Sequence, residues 1–177
     1  KVEPVGFPTR EPMLAEGKVD SVTGFSFSSY LNLVRLGVPE EDISTILMAD
    51  HGLKLYGNAV IVNTDYAKNN SDMVKKFLVA IGAGWRDAIK DPKAAAAALV
   101  KRNPAADAAL EQRRLQLAID ANVLTDYVKA NGMGGVDSSR FAAAIEQLSE
   151  TYEYKAAPNA ALYFTDEYLP ASGISLN

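Results

Sequence analysis

The first third of the sequence predicts an α/β fold, and the remainder predicts helices. Three apolar runs have the length of buried strands: residues 21–23, 43–48 and 59–62. Between the first two, apolar residues on one face and the stop signal Gly37 predict a helix that ends near Leu36. A strand, a helix and a strand joined by short connections predict a parallel βαβ unit.

Beyond residue 63 the sequence predicts helices only. Asn70 or Ser71 is expected to cap the longest helix, whose apolar residues recur at spacings of three and four. Capping residues precede Pro92 and Pro104, which predicts helix starts at both prolines, the second helix running to about residue 121. Asp137 is expected to cap the last long helix.

Composition excludes several classes of function. The chain has 177 residues, a net charge of -4 and scattered basic residues, which argues against a nucleic-acid partner. It has no cysteine, so disulfides, zinc-thiolate sites and cysteine nucleophiles are excluded. No run approaches the roughly 18 apolar residues of a membrane span, so we expect a chain that does not itself cross a membrane.

Enzyme chemistry has little support in the sequence. His51 is the single histidine, and it has no nucleophile or carboxylate partner at a telling spacing. The glycine-rich residues 131–135 lack the Lys-Ser/Thr ending of a phosphate loop, and no Gly-x-Ser-x-Gly motif occurs. We therefore predict no catalytic residue, no metal ligand and no cofactor.

The start of the first long helix is the best candidate for a ligand contact. Ser26, Ser28 and Ser29 alternate there with aromatic residues. Free backbone N–H groups at a helix start favour anions and hydrogen-bond acceptors, and aromatic rings beside them can hold a flat ligand. A capped helix whose rings pack in the core is the alternative, and these residues alone favour it.

Several segments together resemble a known family. They read REPMLAEGKVDSVTGF at 10–25, YLNL at 30–33 and LMADHGLKLYGNAVIVN at 47–63, and the likeness continues through WRDAI at 85–89 and KAAP at 155–158. Their order and spacing resemble the later portion of the NMT1/THI5-like (SsuA/ThiY-like) substrate-binding proteins of ABC transporters. The likeness extends over nearly the whole chain.

The resemblance implies a type II periplasmic-binding-protein-like α/β fold with two lobes. Residues 1–58 would form the later half of lobe two, 59–63 a crossing strand, and 64–177 the helical C-terminal part of lobe one. The family's first half has no counterpart in these 177 residues, so the resemblance predicts a fragment.

The resemblance also implies a function. We expect a solute-binding component of an ABC importer that captures a sulfonate, nitrate or pyrimidine-type molecule in an interlobe cleft. Its partners would be that ligand and an inner-membrane permease, and its location would be periplasmic or otherwise extracytoplasmic. An enzyme of the THI5 pyrimidine-synthase or desulfinase type and a sensory binding module are the alternatives.

Seven residues are the ligand-contacting candidates that the resemblance implies. They are Thr23, Gly24, Phe25, Ser26, Tyr56, Gly57 and Asn58. Parallel strands place ligands at their carboxyl ends, which agrees with the first four positions. The residues alone favour packing of this turn in the core. With the resemblance added, we instead expect residues 23–26 to contact the ligand.

Overall fold

A computed structural model describes residues 2–156 and 158–176 of the chain. The end residues of the predicted divisions (1 and 177) and residue 157 of the segment 155–158 lie outside the described residues. Eight α-helices occur in the described part: α1 Arg10–Ala15, α2 Ser26–Arg35, α3 Thr64–Asn69, α4 Ser71–Lys90, α5 Pro92–Arg102, α6 Ala108–Ala118, α7 Asp126–Asn131 and α8 Ser138–Thr151. Short 3₁₀ turns lie at Phe7–Thr9, Glu40–Asp42, Met48–His51 and Ala160–Leu162, and a π turn at Ile119–Val123.

The predicted α/β fold with a parallel βαβ part is wrong. None of the runs 21–23, 43–48 and 59–62 pairs with another segment, and the β-pairing among the described residues is an isolated bridge between Met133 and Ile174. A strand exists only when a neighbour completes its hydrogen-bond ladder. The three runs have the apolar composition of strands, but no such neighbour lies beside them. Their apolar side chains include Ile46 and Ile61, which are 75% and 92% exposed.

The described chain forms two compact units. Unit 1 comprises Lys1–Leu47 and Pro92–Asp120, and unit 2 comprises Met48–Asp91 and Ala121–Asn177. The division into lobes that the family resemblance implies stays a prediction.

Unit 1 is organised around α2. Leu31 of α2 is fully buried and Leu33 is 5% exposed, and α2 packs against α1 and α6, while α5 packs against α6. Helix α2 ends where Gly37 takes a positive φ of 88°, a conformation that favours glycine. The helix predicted up to Leu36 is thus confirmed with its stop signal.

Two arginines of α6 attach that helix to other parts of unit 1. Arg114 donates to the carbonyls of Phe27 and Ser28 at 3.2 and 3.3 Å. Arg113 makes a bidentate ion pair with Glu40, with Nη1 2.7 Å from Oε1. The hydroxyl of Tyr30 donates to the same carboxylate. Residues from three segments of the chain therefore meet at Glu40.

In unit 2, glycine allows a close approach to the long helix α4. A Cβ on Gly82 would lie 2.2 Å from Cγ2 of Ile174, so the isoleucine occupies the space that any other side chain would need. Gly84 has no atom within 4 Å of the corresponding position. Two glycines within this helix indicate either close packing or a bend; the structure shows close packing at Gly82 and open space at Gly84.

Side chains of α8 bind backbone groups of residues 52–55 within unit 2. Gln147 accepts from the N–H of Lys54 at 2.9 Å and donates to the carbonyl of Gly52 at 2.8 Å. Arg140 donates to the carbonyls of Lys54 and Leu55. These bonds satisfy backbone groups that a neighbouring strand would otherwise satisfy.

The predicted helix starts have mixed outcomes. Those at Pro92 and at Asp137 are confirmed, and Asp137 accepts from the N–H of Arg140 at 2.7 Å. The start at Pro104 is wrong, because Asp107 caps α6 by accepting from the N–H of Leu110 at 2.8 Å. A carboxylate close to the first free N–H groups outweighs the proline signal here.

Leu31→Ala should destabilise the protein by about 2–5 kcal/mol, because it leaves a cavity at a fully buried position. Chemical denaturation monitored by circular dichroism measures this loss. The control Leu162→Ala removes a side chain that is 78% exposed and should change the unfolding free energy by less than about 0.5 kcal/mol. Equal effects of the two substitutions would contradict the assignment of the core.

Glu40 should titrate far below an ordinary glutamate. Hydrogen bonds from Arg113 and then from Tyr30 lower the pKa of Glu40 from 4.5 to about 2. Since the folded-state pKa is depressed, the ion pair stabilises unit 1 above pH 4.5 and is lost as the pH falls through 2. Arg113→Gln should return the pKa toward 4.5 in a carboxyl NMR titration, whereas Arg35→Gln, at an exposed arginine, should not.

Candidate functional site

The turn of residues 23–26 leads directly into α2. Phe25 is the N-cap residue, with extended φ and ψ of −81° and 133°, and α2 begins at Ser26. No side chain of the described chain caps this helix start. The first N–H groups of a helix lack i→i−4 partners. In α2 the N–H groups of Ser28 and Ser29 both donate to the carbonyl of Phe25 at 2.9 Å, so the N–H groups open to another acceptor are those that precede Ser28.

The ring of Phe25 lies outside the core of unit 1. Phe25 is 48% exposed. Its ring stacks on that of Phe27, with centroids 5.4 Å apart and planes 17° from parallel. The core alternative therefore does not describe Phe25. The exposed ring of Phe25, stacked on the half-buried ring of Phe27, offers a flat apolar surface beside the helix start.

A cation stands beside the first residue of this turn. Arg10 Nη1 donates to the hydroxyl of Thr23 at 3.2 Å, and the guanidinium lies over the ring of Phe7, 4.2 Å from its centroid. The Nε of Arg10 is buried and has no hydrogen-bond partner among the described residues. The turn therefore has the positive charge of Arg10 beside its first residue, Thr23.

Gly24 fits the turn because it has no side chain. A Cβ at this position would lie 1.8 Å from Oγ and 2.8 Å from Cβ of Ser29. That hydroxyl donates to Oε1 of Glu11 at 2.6 Å. Burial opposes ionisation of Glu11, but the hydrogen bond from Ser29 and smaller contributions outweigh it, so the pKa of Glu11 is lowered.

The other three candidates lie in unit 2. The hydroxyl of Tyr56 accepts from the N–H of Asp137 at 2.8 Å, and Arg140 lies 4.4 Å from the centroid of its ring. The polar end of Tyr56 is therefore engaged at the start of α8. Gly57 and Asn58 are exposed. A ligand contact by these three residues stays a prediction, as it does for the turn in unit 1.

Arg10 and Glu11 were not among the sequence-based candidates. They lie 13 and 18 residues before their respective partners, Thr23 and Ser29, so no local pattern connects them. An acidic residue among the apolar positions of a short helix is the one signal that the sequence holds for Glu11.

His51 is exposed in its 3₁₀ turn. Within the described ranges, no group of three or more acidic or histidine side chains could hold a metal ion.

Comparison with known families identifies the chain. The family model described as NMT1/THI5 like matches residues 1–95, which is more than half of the 177 residues. Searches of curated proteins and of solved structures gave no significant match. Among the described residues no helix is both long and apolar enough to cross a membrane. The predicted resemblance is confirmed at family level: the chain belongs to the NMT1/THI5-like family, which supports a solute-binding type of function for a small-molecule ligand.

Proposed function

We propose that the chain belongs to the solute-binding component of an ABC importer. It captures a small organic or anionic molecule of sulfonate, nitrate or pyrimidine type and delivers it to an inner-membrane permease from an extracytoplasmic location. Membership of the NMT1/THI5-like family is the observation that carries this proposal. The chain binds its ligand without turning it over.

The turn of residues 23–26 is the proposed ligand-contacting element of unit 1. Two kinds of interaction support it: free N–H groups and the charge of Arg10 favour an acceptor or anion, and the exposed ring of Phe25 favours a flat or apolar group. A ligand that carries both features on one small molecule suits this turn best. An aromatic or alkyl sulfonate combines them, and so does a substituted pyrimidine.

Turnover separates a binding protein from an enzyme of the THI5 type. Incubation of the protein with each of an alkanesulfonate, nitrate and an aminopyrimidine should return the compound unchanged by mass spectrometry. Appearance of a chemically altered product that depends on the protein would replace the binding proposal with the enzymatic one.

Phe25→Ala should weaken ligand binding at least several-fold, because it removes an exposed ring that the ligand covers. The measurement is a thermal-shift titration of the full-length natural protein with an alkanesulfonate, nitrate and an aminopyrimidine, followed by calorimetry for any compound that stabilises it. Tyr163→Ala is the matched control, since this ring is 67% exposed and lies in unit 2. An unchanged affinity in Phe25→Ala would remove the turn from the site.

Asn58→Ala tests the second group of candidates separately. If Asn58 hydrogen-bonds the ligand, its loss should reduce affinity by roughly three- to tenfold, the usual worth of one hydrogen bond. Asn103→Ala removes another exposed amide and should leave the affinity unchanged. A variant Asn58→Ala that binds like the unsubstituted protein would exclude Asn58 from the ligand contacts.

A further inference from the structure

Glu11 is the buried charged residue of the described chain. It is 6% exposed and lies in the first turn of the six-residue helix α1. Burying a carboxylate is costly unless hydrogen bonds and opposite charges compensate for the lost water. Neither the core of unit 1 nor the proposed ligand contacts account for a charge at this position.

The contacts of Glu11 compensate for that cost. Ser29 donates to Oε1 at 2.6 Å, and the charge of neighbouring Arg10 and the nearby side chain of Asn32 favour the ionised form to a smaller extent. Ser29 and Asn32 both belong to α2. A buried carboxylate therefore links α1 to the first two turns of α2.

The same hydroxyl contacts the turn of residues 23–26. The Cβ position of Gly24 lies 1.8 Å from Oγ of Ser29 and 4.0 Å from Oε1 of Glu11. On the other side of the turn, Arg10 donates to Thr23. Two consecutive residues of α1 thus adjoin the turn, Arg10 directly at Thr23 and Glu11 through Ser29.

We propose that Glu11 is a positioning residue for the turn of residues 23–26, acting through the hydroxyl of Ser29 and making no contact with the ligand. Calling this turn a ligand contact rests on the proposed function. The ordering of the turn by Glu11 does not, since every interaction in it lies within unit 1.

The ionised form of Glu11 orders the turn. A carboxylate is a stronger acceptor than a carboxylic acid, so it holds the Ser29 hydroxyl in the rotamer that lies against Gly24. Among the charged groups nearby, Arg10 lies on the same helix, and Arg114 of α6 contacts Asn32 at 3.4 Å and pairs with Glu111. The partners on α2, Ser29 and Asn32, are neutral.

The pH dependence has a definite sign. The pKa of Glu11 is lowered from 4.5, because the hydrogen bond from Ser29 and smaller contributions outweigh burial. A group with a depressed folded-state pKa contributes stability above its unfolded pKa and loses it as the pH falls through the folded value. The turn should therefore be ordered above pH 4.5 and loosen in more acidic solution.

Amide hydrogen exchange of the full-length natural protein tests this proposal without any ligand. Protection factors for residues 23–27 are measured from pH 3 to pH 7, with those of α8 as an internal reference. Glu11→Gln keeps the shape of the side chain and removes its charge. It should lower protection of the turn roughly three- to tenfold at pH 6, as expected when a charge-assisted hydrogen bond is replaced by a weaker neutral one, and should abolish the fall toward pH 3.

Three further single variants and two double variants make the outcome decisive. Ser29→Ala should lower protection of the turn as Glu11→Gln does, and the double variant should lose no more than either alone. Glu41→Gln, at an exposed glutamate of the 3₁₀ turn Glu40–Asp42, is the control and should leave the profile unchanged. Gly24→Ala should lower the melting temperature, and Ser29→Ala should recover part of that loss by removing the nearest atom.

Unchanged protection in Glu11→Gln, or a fall toward pH 3 that persists in it, would overturn the proposal. If Glu11→Gln does not fold, Ser29→Ala decides alone: protection equal to that of the unsubstituted protein would overturn it. The exchange result is independent of the ligand titrations. Absence of binding by the sulfonate, nitrate and pyrimidine compounds would overturn the proposed function and leave the role of Glu11 in the turn intact.

Discussion

Backbone groups of an extended segment need partners, and this constraint explains much of the described structure. An antiparallel or parallel neighbour would normally supply them, yet the described residues contain no ladder beyond the bridge of Met133 and Ile174. In unit 2, Gln147 and Arg140 supply the partners from a helix. Long side chains with two or more polar atoms suit this task, because one residue can satisfy two backbone groups in series.

In unit 1, long polar side chains likewise bind another element, in this case the helix α2. Arg114 binds carbonyls in the first turn of α2, while Glu11 binds a hydroxyl on the same helix. A cation and an anion from different helices therefore act on α2, at its backbone and at a side chain respectively. The aliphatic residues Leu31 and Leu33 of the same helix are buried in the core of unit 1.

Sequence reasoning succeeded where a structural signal is local. A proline after a capping residue placed the start of α5, and Gly37 placed the end of α2. It failed for residues 43–48 and 59–62, because β-prone composition specifies a strand only when a second segment pairs with it. It also failed at Pro104, where a capping carboxylate three residues further on gave the better start.

In the candidate site, too, the local features could be predicted from the sequence and the contacts between distant residues could not. The turn of residues 23–26 was found through the resemblance of whole segments, and the sequence itself predicts the helix that follows it. The roles of Arg10 and Glu11 depend on contacts with Thr23 and Ser29, which are brought close only by packing α1 against α2. No spacing rule in a single sequence reports such a pair.

The exposed run of residues 59–62 has a consequence for handling this protein. It reads Ala-Val-Ile-Val, carries no charge, and holds Ile61 almost entirely in solvent. An unpaired β-prone segment of this kind can recruit the same segment of a second molecule and propagate into ordered aggregates. The exposed run is therefore a place where two copies of this chain can pair edge to edge in concentrated solution.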